Sequence, residues 1–180
     1  LLLNRNHGFY PHLIDICNCP RAFESVQKEQ EGFIEKHKTV TRLGESWVRG
    51  PIVLSWQHSK RGAANHQDAE NVVLHEFAHQ LDQEDGRSDG TPDLPPAMCY
   101  KTWAKVMEKS FVSMANLVSK NKEILLDEYG ISSPAEFFAV LTETFFEKPN
   151  QLNAQHHDLY ELLKNYYGLD PINWQISRPD

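Results

Sequence analysis

The stretch Asn71–Asp85, NVVLHEFAHQLDQED, constrains this chain more than any other. It holds His75, Glu76 and His79 in the order H-E-x-x-H. On a helix, residues four apart share a face about one turn apart. Both imidazoles can then aim at one point, which is what a zinc ion needs from two of its three protein ligands when the fourth position is left for water. Glu76, beside the first histidine, can reach that water and take its proton. A histidine pair on a helix can also be surface decoration, so the helix needs its own support. Val72, Val73, Phe77 and Leu81 form an apolar stripe able to face a core. Asp68 or Asn65 can cap the start, Glu70 suits the positive N-terminal end, and Gly86 suits a left-handed exit.

A length of 180 residues predicts one domain spanning 1–180 with a sizeable core. The chain opens on Leu1-Leu2-Leu3 without a Met and reads as a fragment or processed chain. That run is too short for a signal peptide or a membrane span, and no other stretch approaches the roughly 18 apolar residues a span requires. A soluble, cytoplasmic protein with no membrane partner is expected. The net charge of −7 argues against nucleic acid, whose binders usually carry a basic face. Cys17 and Cys19 are too close together for an ordinary zinc ribbon, and with Cys99 they read as reduced structural thiols.

Coarse patterning places strands first. Tyr10–Cys17 alternates and reads as a strand ended by Asn18 and Pro20. Arg21–Phe33 reads as a helix with Phe23, Val26 and Phe33 inward. Thr39–Leu43 and Ile52–Trp56 are short β-rich runs, with turn chemistry at Gly44–Trp47 and Gly50-Pro51. Ser59–Asn65 reads as a loop into the H-E-x-x-H helix, and Asp85–Pro96 as a second loop. Tyr100–Val118 is a helix with Trp103, Val106, Met107, Met114 and Leu117 available for packing. Pro134–Phe146 and Asp158–Tyr167 are further helices, the last closed by Gly168. Strands followed by helices make an α+β domain.

A third ligand must come from the helical half. Glu123, Asp127, Glu128, Glu136, Glu143, Glu147, His156 and His157 are candidates. Glu136 and Glu143, seven apart, share a helix face with Val140, and carboxylates at the border of a core usually have a partner. Glu136 has a rival role, because Ser133-Pro134-Ala135-Glu136 fits a capping box with Pro at the first helical position. Pattern alone leaves both roles open. Asp82, one turn past His79, can orient an imidazole through its second nitrogen or can simply be a carboxylate at a helix end.

VVLHEFAHQLDQEDG and DEYGISSPAEFFAVLTETFF together resemble the Mlc titration factor A family of bacterial zinc peptidases. GESWVRGPIVLSW and the first strand with Pro20-x-Ala22-Phe23 fit the same pattern, so the resemblance runs from about Tyr10 to about Tyr167. More distantly, the chain is similar to the catalytic domain of anthrax lethal factor. The resemblance implies a zincin-like metallopeptidase of the gluzincin type acting on peptides or proteins. It implies zinc (Zn2+) held by His75, His79 and Glu136, with Glu76 as general base and Tyr129 steadying the oxyanion. It places Glu143 behind a ligand. It also implies an alternative role, binding and titrating the transcriptional repressor Mlc. Members carry an additional N-terminal segment with no counterpart in these residues. Peptidases of this architecture commonly align substrate along an exposed strand edge; Gly44–Trp47 and Ile52–Trp56 are the candidates for that edge.

Overall fold

The computed structural model of the chain describes residues 1–3, 10–31 and 34–174. Among these, the strands come first: β1 (Ile16–Cys19), β2 (Phe23–Glu31), β3 (Ile34–Arg42), β4 (Gly44–Ser46) and β5 (Ile52–Ser55). The helices follow: α1 (Trp56–Ala64), α2 (Val72–Asp82), α3 (Tyr100–Val118), α4 (Pro134–Glu147), α5 (Pro149–Gln155) and α6 (His157–Tyr167). Short 3-10 turns lie at Glu128–Ser132 and Pro171–Asn173. The architecture is a small N-terminal sheet region followed by a helical half, the α+β arrangement expected. No helix among the described residues is long and apolar enough to cross a membrane.

One sheet has the order β1-β5-β4. β5 is its centre, parallel to β1 with Ile16 opposite Ile52, and antiparallel to β4 with Gly44 opposite Leu54. Its sequence IVLS is mostly buried, as suits a strand flanked on both sides. β4 lies at the edge. β2 and β3 form a separate antiparallel pair, with Phe23 opposite Arg42.

Several expectations from the sequence are corrected here. Residues 23–31 are a strand and not a helix. Phe23 and Val26 have a spacing that a helix would also show, but the β-branched run Thr39-Val40-Thr41 supplies a partner, and the ladder wins. Val26 points outward at 62% exposure, and Phe33 lies outside the described residues. The first strand begins at Ile16 and extends to Cys19; before it the chain turns, with Leu13 N–H donating to the Tyr10 carbonyl across Pro11. Ser59–Asn65 is helical up to Ala64, as part of a helix that Trp56 opens. Gly62 keeps that helix close to α2: a Cβ there would lie 3.1 Å from Asn71 Cα. α5, which the sequence reading missed, starts at Pro149 and buries Leu152. The three cysteines are free, and Cys17 and Cys99 are exposed, so these two do not serve the core.

The main core belongs to the helical half. α3 buries Trp103, Met107 and Met114, as its spacing predicts, although Leu117 is 38% exposed. α4 is buried on every side from Ala135 to Phe145 apart from the partly buried Glu136. It packs against α2, and also against α5 and α6. α6 closes on Gly168, whose φ of 62° is left-handed, as expected. Rings from three helices interlock: Trp103 lies 5.8 Å from Phe138 and 5.3 Å from Tyr166, and Phe145 stacks on Tyr167 at 5.7 Å. Thr142 and Tyr167 satisfy each other's hydroxyls at 2.8 Å. The packing therefore fixes α4 in rotation as well as position.

At the other end, one glycine ties three elements together. Gly90, at φ 76°, donates its N–H to Asp82 Oδ2 at 3.0 Å and accepts the Trp103 indole N–H at 3.0 Å. A Cβ on it would collide with the Pro134 carbonyl, at the start of α4.

Phe138 is fully buried and touches both Trp103 and Tyr166. Phe138→Ala should lower the free energy of unfolding by about 3–5 kcal/mol, the range for a truncated core phenylalanine. Urea titration followed by circular dichroism measures it; a loss under about 1 kcal/mol would mean that the site collapses around the cavity.

Candidate active site

α2 is held at its start by Asn71. Its side chain caps the helix by accepting from Leu74 N–H at 3.2 Å. The cap is thus Asn71, and neither Asp68 nor Asn65. Asn71 also reaches α4: its amide side chain donates to Glu147 Oε1 at 2.8 Å and its backbone N–H donates to Glu143 Oε2. Further along α2, Gln80 donates to Ser46 Oγ at 2.6 Å and to the Trp47 carbonyl at 3.2 Å. α2 therefore lies between α4 and β4, tied to each by polar side chains. Its core contribution comes from Ala78 and Leu81, whereas Val72, Val73 and Phe77 are partly buried. Phe77 packs on Tyr10 at 5.0 Å.

On the face toward α4, His75 Nε2 and His79 Nε2 are 3.2 Å apart. Glu136 Oε2 lies 3.0 Å from the first and 3.3 Å from the second. Three donors with these separations match the edges of a tetrahedron, about 3.3–3.4 Å for metal–ligand bonds of about 2.0–2.1 Å. The group formed by His75, His79 and Glu136 is thus suited to hold a metal ion. The two roles open for Glu136 are partly reconciled: Ser133 Oγ does cap α4, accepting from Glu136 N–H at 3.2 Å, while the Glu136 carboxylate turns to the histidines. His75 Nδ1 faces Glu143 Oε1 at 2.8 Å, a carboxylate behind the imidazole that fixes its ring.

The charges reinforce the geometry. Burial pulls the His75 imidazole down, but its contacts with Glu136 and Glu143 outweigh burial and raise it. Burial pushes Glu136 up, and hydrogen bonds to His75 and His79 overcome that and hold it well below the usual carboxylate range. Glu76 is 6% exposed, and burial raises it to about 6 against the opposing pull of His75 and His79. Asp82 is fully buried and raised to about 6 by burial, with the Gly90 N–H opposing. Its Oδ2 takes that N–H; its Oδ1 is without a partner, and so is Nδ1 of His79. Asp82 is no surface carboxylate, and no direct hydrogen bond joins it to His79.

Tyr129 is the second residue of the 3-10 turn that precedes α4, and its N–H is capped by Asp127 Oδ1 at 2.7 Å. Its ring centroid lies 6.2 Å from that of His75. It is half exposed, and burial together with the charge of Glu136 raises its hydroxyl to about 12, so it stays a neutral donor. All five residues singled out by sequence line one open cleft of about 800 Å3, whose other wall is residues 40–46. Of the two strand candidates, β5 is enclosed between β1 and β4, so only β4 presents an edge there. The other candidate ligands, Glu123, Asp127, Glu128, Glu147, His156 and His157, do not join the His75–His79–Glu136 group. Sequence reasoning missed Asn71, Gln80 and Gly44. Asn71 stands directly before the first helical residue, and that position was its available signal.

The profile of the glucose-regulated metallo-peptidase M90 family matches residues 1–168. An uncharacterized protein of Synechocystis is 38% identical over 96% of this chain and 63% of its own length. The protein named Mlc titration factor A in Pectobacterium atrosepticum is 31% identical over 87% of this chain and 60% of its own length. The one of that name in Yersinia pestis is 33% identical, over 96% and 64% respectively. The chain thus spans less than two thirds of the length of these relatives.

Asn71→Ala removes the cap of α2 and leaves Glu147 without its amide partner. Stability should fall by about 0.5–2 kcal/mol. Thermal melting at fixed pH checks it; an unchanged midpoint would show that packing alone holds the start of α2.

Proposed function

The chain belongs to the glucose-regulated metallo-peptidase M90 family, and from that premise we propose that it is a zinc peptidase of the gluzincin type, with residues 1–180 forming one catalytic domain. The observation that carries this reading is the convergence of His75, His79 and Glu136 at 3.0–3.3 Å beside the buried carboxylate of Glu76. In this reading His75, His79 and Glu136 hold the ion. Zinc, when bound, supplies a Lewis acid for the scissile carbonyl and acidifies the attacking water.

Every other part of the reaction falls to side chains. Glu76 accepts the proton of the attacking water and passes it to the leaving amine. Its raised affinity for a proton suits both duties. Tyr129, a neutral hydroxyl at the cleft mouth, donates to the oxyanion of the tetrahedral intermediate. Glu143 holds the His75 ring so that Nε2 points to the ion. The peptide lies along β4, pairing main chain to main chain at the open edge. Free cysteines suit a reducing, cytoplasmic setting.

The relatives named Mlc titration factor A favour a second reading, in which the protein binds a transcriptional repressor, with or without peptidase activity. A binding role alone requires neither the three converging donors nor Glu76, and on that ground catalysis is preferred.

Protein purified without chelator should contain one zinc per chain by elemental analysis. Glu136→Ala should lose it, because two imidazoles hold zinc far less tightly than a complete ligand set. If Glu136→Ala keeps its zinc and loses only about 1 kcal/mol of stability, the glutamate serves the helix start alone.

Glu76→Gln should keep zinc and fold but abolish hydrolysis. Tyr129→Phe should also keep zinc and reduce kcat by roughly 10²–10³, the loss expected for one oxyanion donor. Normal turnover by Tyr129→Phe would make the tyrosine structural. Because Glu76 must be ionised to accept a proton, kcat/KM should fall as pH drops through its pKa. Burial sets that value at about 6, and nearby positive charge opposes burial. An acid limb well above that value would belong to another group.

A further inference from the structure

Gly44 lies in β4, buried, in regular register opposite Leu54. A glycine inside a strand weakens it and has to be explained by a bulge or by the close approach of another group. Backbone freedom is not the reason here, because the left-handed glycines among the described residues are Gly86, Gly90 and Gly168. Space is the reason. A Cβ on residue 44 would lie 2.5 Å from Glu76 Cγ, 2.5 Å from its Oε1 and 2.8 Å from its Cδ. Non-bonded carbon atoms normally sit about 3.5–4.0 Å apart. All three nearest atoms belong to one side chain, and it is the one assigned the proton transfer above.

We propose that Gly44 is a positioning residue: its missing side chain leaves the slot in which the Glu76 carboxylate is held beside His75 and His79. This rests on the reading of Glu76 as the general base. The conflict created by a methyl group falls on the far end of a flexible side chain, and the β4 backbone already has its ladder partner. Filling the slot should therefore move the carboxylate and leave the fold in place. Position 44 acts on catalysis through Glu76, whereas the edge of β4 acts through substrate binding. The two contributions separate in kinetics.

The test is Gly44→Ala in the full chain. kcat should fall by roughly 10²-fold, the cost of misplacing a reacting group by about 1 Å. KM should stay within about twofold, zinc should stay at one per chain, and the melting midpoint should hardly move. A crystal structure of metal-free Gly44→Ala should show the Glu76 carboxylate displaced with its Cα in place. That readout is independent of activity, so it judges the slot even if Glu76→Gln proves active and the general-base reading fails. An unmoved carboxylate, an unchanged kcat, or a raised KM with kcat intact would each overturn the proposal. If Gly44→Ala does not fold, Gly44→Ala with Glu76→Ala must fold, because the three conflicting atoms are then gone; failure of the double variant would also overturn it.

Discussion

The contact between α2 and α4 is the constraint on which the rest depends. A helix gives two histidines one turn apart, but only a second element can supply a carboxylate to the same point. Here that element is buried nearly all round, so its rotation is decided by the core. Trp103, Phe137, Phe138, Phe145 and Tyr167 are packed to 1% exposure or less. With α4 fixed in that way, Glu136 and Glu143 reach α2 two turns apart, one toward Nε2 of His75 and the other toward Nδ1. One imidazole is thus held from both sides of its ring. The precision of the cleft comes from apolar packing on the far side of α4.

The opposite wall of the cleft is built differently. β4 is three residues long and contributes little packing of its own. It is located by pairing with β5 and by Gln80, which joins helix to strand through Ser46 and the Trp47 carbonyl. α2 is therefore shared between two supports, α4 and β4, and polar side chains tie it to each. The face that holds the donor atoms looks toward α4, and on the β4 side the Gln80 amide meets the Ser46 hydroxyl and the Trp47 carbonyl.

Long periodic helices were legible in the sequence. α3, α4 and α6 have apolar spacing over eleven or more residues, with Pro134 and Gly168 marking one start and one end. The histidine spacing and the later glutamate pointed to residues that the fold does bring together. The misread segments share a physical cause: their structure is decided by partners distant in sequence. Phe23–Glu31 is polar and carries no strong period; it becomes a strand because Ile34–Arg42 lies beside it. α1 reads as a loop because its Gly62 lowers helix propensity, yet that glycine is what lets the helix close on Asn71. Glu136 could not be assigned from pattern because its backbone N–H and its carboxylate serve different masters, Ser133 and the histidines. Gly44 gave no signal at all, since a glycine in a turn-rich stretch looks ordinary until its neighbour across the cleft is known.

Gly90 has a consequence for the breadth of the cleft. It sits outside the cleft, in the irregular stretch between α2 and α3, with Asp82 on one side and the first residue of α4 on the other. It behaves as a shim of minimum thickness. Any thicker residue there would have to push the first turn of α4 away from the end of α2, and Glu136 rides on that turn. The bite of the three donor atoms is thereby gauged from behind, by a backbone contact that no molecule in the cleft could touch.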